Sequence, residues 1–333
     1  GFESTAHYAL NLELFLENAN HSFMEVNPVL IKGYKKSTTL RRTKTDSVDC
    51  ESIARWLITV EYKPHSKGFY HAYSLKSLTR LRDRLIRQRS FYLVKITNVL
   101  DHTFPEFKPF FNERLSKTAL YLLENYGSAE KMARMNSASY DKLRCISRGK
   151  FSIQQFLRLK ELASNTVGVN NSIFDLELNT LLTLYKSLSD EINTLETEII
   201  KLIEEVHPHY MSIPGIGPIS SAVIYAEYGD ISNFSNPGQM LAFAGIEPGI
   251  NDSGTESHGG RMVKHGSSQL RYVLLNACLP LIRFDLTFAT YYEKKRAEGK
   301  KHRVAITHVA KKLIRVIYAL ERQDVDFNAQ KLR

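Results

Sequence analysis

Between residues 178 and 206 the apolar side chains fall on a seven-residue beat. Leu178, Tyr185, Ile192, Ile199 and Val206 form one set, and Leu181, Leu188, Leu195 and Leu202 form a second, three residues further on. An a/d pattern sustained over four heptads reads as a long α-helix whose apolar stripe another helix must cover. Two arrangements do so. A second copy of the chain would give a coiled coil, and mostly β-branched residues at a with Leu at d favour two strands. A hairpin with another helix of the same chain is the alternative. The residue choice favours the homodimer, or a tetramer built from it. Asp190, Glu191, Glu196, Glu198, Glu204 and Glu205 make the rest of this helix acidic, so it does not face a polyanion.

A second long helix is expected from Leu75 to about Leu100. Leu75, Leu78, Leu81 and Leu85 recur at helical spacing, while Lys76, Arg80, Arg82, Arg84, Arg87, Arg89 and Lys95 face a single acid, Asp83. One face packs and the other is basic. The whole chain carries 45 Lys and Arg against 35 Asp and Glu, a net charge of +10. A basic surplus favours phosphate-rich partners, because each cation that meets a phosphate releases a counterion. A further basic run, Lys32 to Lys44, holds six cations and no acid.

The three cysteines, Cys50, Cys145 and Cys278, lie far apart and lack the spacing of a disulfide framework or a zinc knuckle. No apolar run approaches the roughly 18 residues a membrane span needs, and no signal-peptide pattern opens the chain. A reducing cytoplasm fits this usage. The chain opens at Gly1-Phe-Glu as though within a domain.

In the first segment, residues 6–19 read as an amphipathic helix, 23–26 as a short strand closed by Asn27-Pro28, and a helix starts at Asp46. This has the look of the end of an α/β domain. After His207-Pro208 a last domain begins. Residues 211–230 read as a helix, a Pro214-Gly-Ile-Gly217 turn and a helix, and 237–247 as a second apolar helix. Residues 248–268 read as a Gly/Ser/His-rich loop, followed by helices over 269–283 and 303–321.

Three places can carry chemistry. Asp46 and Asp49 project from one face of a helix start, where paired carboxylates hold Mg²⁺ or, equally, cap the helix. Gly215 and Gly217 let backbone N–H groups approach a phosphate, or make an ordinary tight turn. Ser253, followed by Gly254, sits near His258, Arg261, Lys264, His265 and Arg271. Its hydroxyl is a weak nucleophile that such cations would activate toward a phosphoryl centre; as an isolated Ser-Gly it is a turn residue.

Taken in order, these pieces resemble the insertion-sequence transposases that join a RuvC-like DEDD domain to a serine-bearing transposase domain. Relatives include pilin-gene invertases and recombinases guided by a bridge RNA. The segments that carry the resemblance are residues 1–8, Val26-Asn-Pro28, Lys44-Thr-Asp-Ser-Val-Asp49, Ile213-Pro-Gly-Ile-Gly217, residues 241–248, Ser253-Gly254 and residues 264–271. The resemblance implies an α/β RuvC-like (RNase H-like) domain over 1–110. The family's first Asp and first strands would precede Gly1, so this domain would lack them. A helical linker and coiled coil over 111–206 would follow, then a mostly α transposase domain over 207–333 with a helix-hairpin-helix-like motif.

The implied function is a mobile-element DNA transposase or site-specific recombinase in a prokaryotic cytoplasm, associated with the nucleoid when bound to DNA. Ser253 would form a phosphoserine link to DNA, and Glu3, Asp46 and Asp49 would hold Mg²⁺. Gly215, Gly217, Arg261, Lys264 and Arg271 would grip the DNA backbone. By charge and placement, Lys44, Arg80, Arg84 and Arg87 are the candidates for contact with the non-coding guide RNA that the resemblance implies. The alternatives are a metal-dependent junction nuclease of the RuvC type and a truncated, non-catalytic nucleic-acid-binding remnant.

Overall fold

A computed structural model describes residues 1–3, 9–39, 45–61, 69–112, 115–253 and 256–332; the side chains of 69–71, 248–253, 256–261 and 331–332 lie outside that description. Two compact units, Gly1–Phe69 and Tyr70–Arg333, make up the chain, and each is described by itself.

In the first unit, β1 (Phe2–Glu3) pairs in parallel with β2 (Glu25–Val26), placing Phe2 opposite Glu25 and Glu3 opposite Val26. Parallel strands need a crossover, and α1 (Ala9–Asn18) lies in that connection. Phe2 stacks on Phe23 with ring centroids 5.7 Å apart, and Ala9, Phe23, Val26 and Ile31 are buried. The Asn27 side chain accepts from the Val29 N–H, and Pro28 opens α2 (Pro28–Thr38). Lys32, Lys35 and Lys36 of the basic run lie on that helix; Arg41, Arg42 and Lys44 lie outside the described residues. The Thr45 hydroxyl accepts from the Val48 N–H and starts α3 (Asp46–Thr59).

The second unit is built on two 35-residue helices, α4 (Phe69–Thr103) and, further along, α10 (Ser172–Val206). They run antiparallel. Leu75 shares a core with Ile199 and Ile203, Ile96 and Leu100 share another with Leu178 and Leu182, and His102 stacks on Phe174. Between them lie α5 (Phe107–Phe110), α6 (Lys117–Asn125), α7 (Ala129–Ala133), α8 (Ser137–Ile146) and α9 (Ile153–Ser164). Ser116, Ser128, Asn136 and Ser152 cap the last four of these at their N-termini, each satisfying a backbone donor that the helix leaves unpaired.

The heptad stripe of α10 is therefore covered by the chain itself. Leu178, Ile192 and Ile199 at a are buried, and the d leucines are half-buried. Of the two arrangements, the intramolecular one is formed, and the coiled-coil dimer expected from the pattern loses its seam. Apolar side chains make this pairing, the Arg82–Glu196 ion pair crosses it, and both helices sit on one chain at high effective concentration.

After α10, His207 takes left-handed backbone and ends the helix. A one-turn 3₁₀ helix (His209–Ser212) leads to α11 (Pro218–Tyr228), α12 (Pro237–Ala244), the hairpin β3 (Pro248–Ser253) and β4 (Glu256–Met262), and then α13 (Ser268–Phe284), α14 (Leu286–Ala297) and α15 (His302–Gln323). Their common core is centred on α15, whose Val309, Ala310, Leu313, Ile314 and Ile317 are completely buried. Where sequence suggested a helix before the PGIG turn there is only the 3₁₀ turn, because Pro208 follows the end of α10 so closely. The expected loop 248–268 contains the hairpin, and α14 is an element the sequence reading passed over. Among the described residues, no single helix is long and apolar enough to cross a membrane.

Candidate active site and nucleic-acid interface

The Ser253 hairpin grows out of the C-terminus of α12. Gly245, at φ 65°, ends the helix, and the ladder then runs from Pro248 opposite Met262 to Ser253 opposite Glu256, with an irregularity between Pro248 and Ile250. Ser253 is thus the last paired residue before the tip; Gly254 and Thr255 lie outside the described residues. The Val263 N–H donates to the Glu247 carbonyl at 3.1 Å and closes the base. From there Lys264 (φ 56°), His265 and Gly266 (φ 147°) wrap the end of α12. A Cβ on Gly266 would stand 2.2 Å from the Phe243 carbonyl oxygen, so no larger residue fits that crossing.

Arg271, expected at DNA, is engaged in this same joint. Its Nη1 donates at 3.1 Å to the Ala244 carbonyl, one of the acceptors α12 leaves open. Lys264 and His265 are exposed beside it, while the Arg261 side chain lies outside the described residues.

The two glycines of the PGIG turn do different work. Gly215 (φ 96°) lies against α13, where an added Cβ would come within 2.8 Å of the Pro280 ring and 3.2 Å of the Ala277 carbonyl oxygen. Close packing accounts for it. Gly217 faces open space and stands at the N-cap of α11 with no side-chain cap, leaving backbone N–H groups there free of side-chain partners.

The 3₁₀ turn before it is tied to the end of α15. The His209 ring bonds Asp326 at 3.0 Å through Nδ1 and Asp324 at 2.8 Å through Nε2. The Tyr210 N–H donates to Glu321, and the Phe327 N–H to the Ser212 hydroxyl. The bond to Asp326, then that to Asp324, raises the His209 pKa above its usual 6.5. A raised histidine stabilises the fold fully below its unfolded value, and that contribution is lost as pH rises through the folded value. Melting temperature should therefore fall with pH above 6.5, and His209→Gln should flatten that slope. An unchanged slope in the variant would show that the tether does not titrate.

Of the acids, Glu3 lies on β1 and Asp46 and Asp49 in the first turn of α3. The Lys35 ammonium forms an ion pair with Asp49. The donor chemistry, three carboxylates, is what Mg²⁺ takes. The arrangement is not: among the described residues, no three His, Cys, Asp or Glu side chains gather as a metal site. Sequence reasoning also passed over Glu13, which is 2% exposed with one carboxylate oxygen lacking a hydrogen-bond partner. Burial, then the charges of Glu25 and Glu17, pushes its pKa up to about 7. Its cost to the fold appears as pH rises from the unfolded value near 4.5 toward 7. Glu13→Gln should therefore raise the melting temperature at pH 8 and leave it unchanged at pH 4. Equal effects at both pH values would contradict the assignment.

Helix α4 spends much of its charge internally. Arg80 donates through Nε and Nη2 to the buried Glu227 at 3.0 and 3.2 Å, Arg82 reaches Glu196 at 2.7 Å, and Arg87 pairs with Asp83 at 3.0 Å. Arg84 is exposed. Lys44 lies outside the described residues.

Residues 208–293, from the 3₁₀ turn through the serine hairpin into α14, match the transposase family described as IS116/IS110/IS902. Residues 1–105 match a transposase family of the IS110 DEDD type. The chain carries transposase domains of the IS110/IS116/IS902 type at both its N-terminal and C-terminal parts. It is 27% identical to the insertion element IS110 43.6 kDa protein of Streptomyces coelicolor, over 71% of this chain and 60% of that one. To the insertion element IS900 42 kDa protein of Mycobacterium paratuberculosis it is 27% identical, over 84% and 71%. To a pilin gene-inverting protein of Moraxella bovis it is 27% identical, over 42% and 46%. The chain thus spans about 60% of the first of these relatives. The match over residues 1–105 is to a DEDD, RuvC-like domain at the N-terminus; among the described residues it takes in β1, α1, β2, α2, α3 and α4.

Proposed function

We propose that this chain is a DNA transposase that cuts and rejoins strands through Ser253. The observation that carries the reading is the position of Ser253 as the last ladder residue of a hairpin inside the segment matched to the transposase family. The ladder fixes the backbone at residue 253 through its pairing with Glu256. In the reaction the Oγ–phosphorus bond forms as the bond from phosphorus to the departing strand's sugar oxygen breaks. The serine proton leaves with a base, and the departing oxygen takes up a proton. Attack on the phosphoserine by the hydroxyl of a second strand reverses these exchanges and rejoins DNA. Lys264 and the open N-terminus of α11 at Gly217 would steady the backbone.

Glu3, Asp46 and Asp49 belong to the proposal as Mg²⁺ ligands on their donor chemistry alone. The ion would neutralise phosphate charge, but Asp49 would first have to leave Lys35. A guide RNA is proposed on α4, where Arg84 is free of the ion pairs that hold Arg80 and Arg82. Joining two DNA sites calls for more than one copy of the chain, through a surface other than the α10 stripe. The test is a denaturing gel of labelled donor DNA, guide RNA and protein with Mg²⁺. A protein-sized labelled band in the wild type supports the serine mechanism. Cut DNA with no such band would assign the chemistry to a metal-dependent nuclease.

A further inference from the structure

Among the described residues, a strongly cationic stretch lies outside the residues discussed so far. From Lys294 to Arg315 there are nine Lys or Arg and one acid, Glu298, and that acid is already paired with Lys295 at 2.9 Å. Lys294, Arg296, Lys300, Lys301 and Arg303 are exposed, and among the described residues none of them forms an ion pair. This contrasts with α4, whose cations are partly neutralised by Glu227, Glu196 and Asp83.

These cations come from three pieces of structure that converge: the last turn of α14, the connection 298–301, and α15. On α15 and at its cap, Lys301, His308, Lys311 and Arg315 follow one another at helical spacing and share a face. His308 has its pKa lowered by burial and then by Lys311, Lys295 and Lys300. Lys311 is lowered by burial and then by Arg315. Like charges thus crowd one another here with little opposing charge. Lys311 also feels Glu247, the residue whose carbonyl closes the base of the serine hairpin. The cationic face therefore adjoins the foot of the element that carries Ser253.

We infer that the α14–α15 face is a duplex-DNA backbone site that seats the DNA flanking the strand presented to Ser253. Three observations fix the class of partner. The side chains are point cations without an acid to balance them, which suits phosphates. The aromatic rings beside them, Tyr291 and Tyr292, are half-buried, the first lying under Lys295 and Lys312 and the second bonded to His302, so no open ring is offered for stacking an unpaired base. From Lys301 to Arg315 the helix extends about 21 Å, roughly two-thirds of a duplex turn. The surface begins after residue 293, where the family match ends.

The inference rests on DNA being the substrate, but not on serine chemistry, and the experiment separates the two. Binding of a labelled duplex of about 30 base pairs and arbitrary sequence is measured by anisotropy across a salt series, in a Ser253→Ala background. The variant Lys294→Gln/Lys300→Gln/Lys301→Gln/Arg303→Gln should lower the salt slope by about 3 to 4 and weaken binding at 0.1 M salt at least ~10-fold. The charge-keeping variant, with Arg at the three lysines and Lys at Arg303, should retain both. Unchanged duplex affinity in the Gln variant overturns the proposal. So does an equal loss in the charge-keeping variant, or a loss confined to a single-stranded RNA of the same length. Duplex binding that depends on the cluster, beside a wild-type protein that forms no serine adduct in the denaturing gel, would sink the proposed chemistry and leave this surface standing.

Discussion

Ser253→Ala is expected to abolish the protein–DNA adduct and every rejoined product, a loss on the order of 10³-fold or more, with no change in melting temperature. Ser253 ends β3 opposite Glu256, remote in sequence from the core residues of α13 and α15 that hold the domain. Alanine keeps the ladder's backbone bonds and removes one hydroxyl. The comparison is a denaturing gel and a melting curve on wild type and variant. An adduct that persists in the variant would move the nucleophile elsewhere, and a large fall in melting temperature would make the hydroxyl structural.

The second large effect is on stability. Glu227 is buried at 4% exposure, and its carboxylate is held by both Arg80 nitrogens, with Lys76 at 4.0 Å. Removing one partner of a buried pair leaves an uncompensated charge, which costs about 3–5 kcal/mol when both partners are buried. Arg80 is half-exposed and Lys76 remains, so Arg80→Ala should cost about 2–3 kcal/mol, a fall of about 5–10 °C in melting temperature for a unit of this size. Arg84→Ala, four residues on and exposed, should stay within about 0.5 kcal/mol. Equal effects of the two would contradict the assignment. Loss of RNA binding in an Arg80 variant therefore needs a melting curve beside it, and Arg84 is the cleaner probe of α4.

Patterns local to a few turns of helix were legible in the sequence. The heptads located α10, the leucine spacing located α4, and Asp46 marked the start of α3, although the cap is the Thr45 hydroxyl and not a carboxylate. What covers a stripe is not local. Arg82 meeting Glu196 bridges 114 positions, and nothing in either helix's periodicity distinguishes that partner from a second chain. The serine hairpin was missed because residues 248–262 alternate poorly and are rich in Gly, Asn and Asp, which disfavour strands. Ser253 itself was found through family resemblance, since Ser-Gly alone marks a turn. Arg271 illustrates the converse: a cation among cations, it reads as a phosphate ligand until Ala244 is seen beside it. The α14–α15 cations were visible as composition. Their consequence was not, because only the fold shows that acids elsewhere neutralise α4 and spare this face.

A covalent bond between Ser253 and DNA is established or excluded by locating it in the protein. The protein is incubated with donor DNA, guide RNA and Mg²⁺, denatured and digested with nuclease and protease, and its peptides are weighed by mass spectrometry. The account predicts a nucleotide-sized addition on the peptide containing Ser253, absent when alanine replaces it. Cut DNA with every peptide unmodified, or an addition on a different residue, would contradict it.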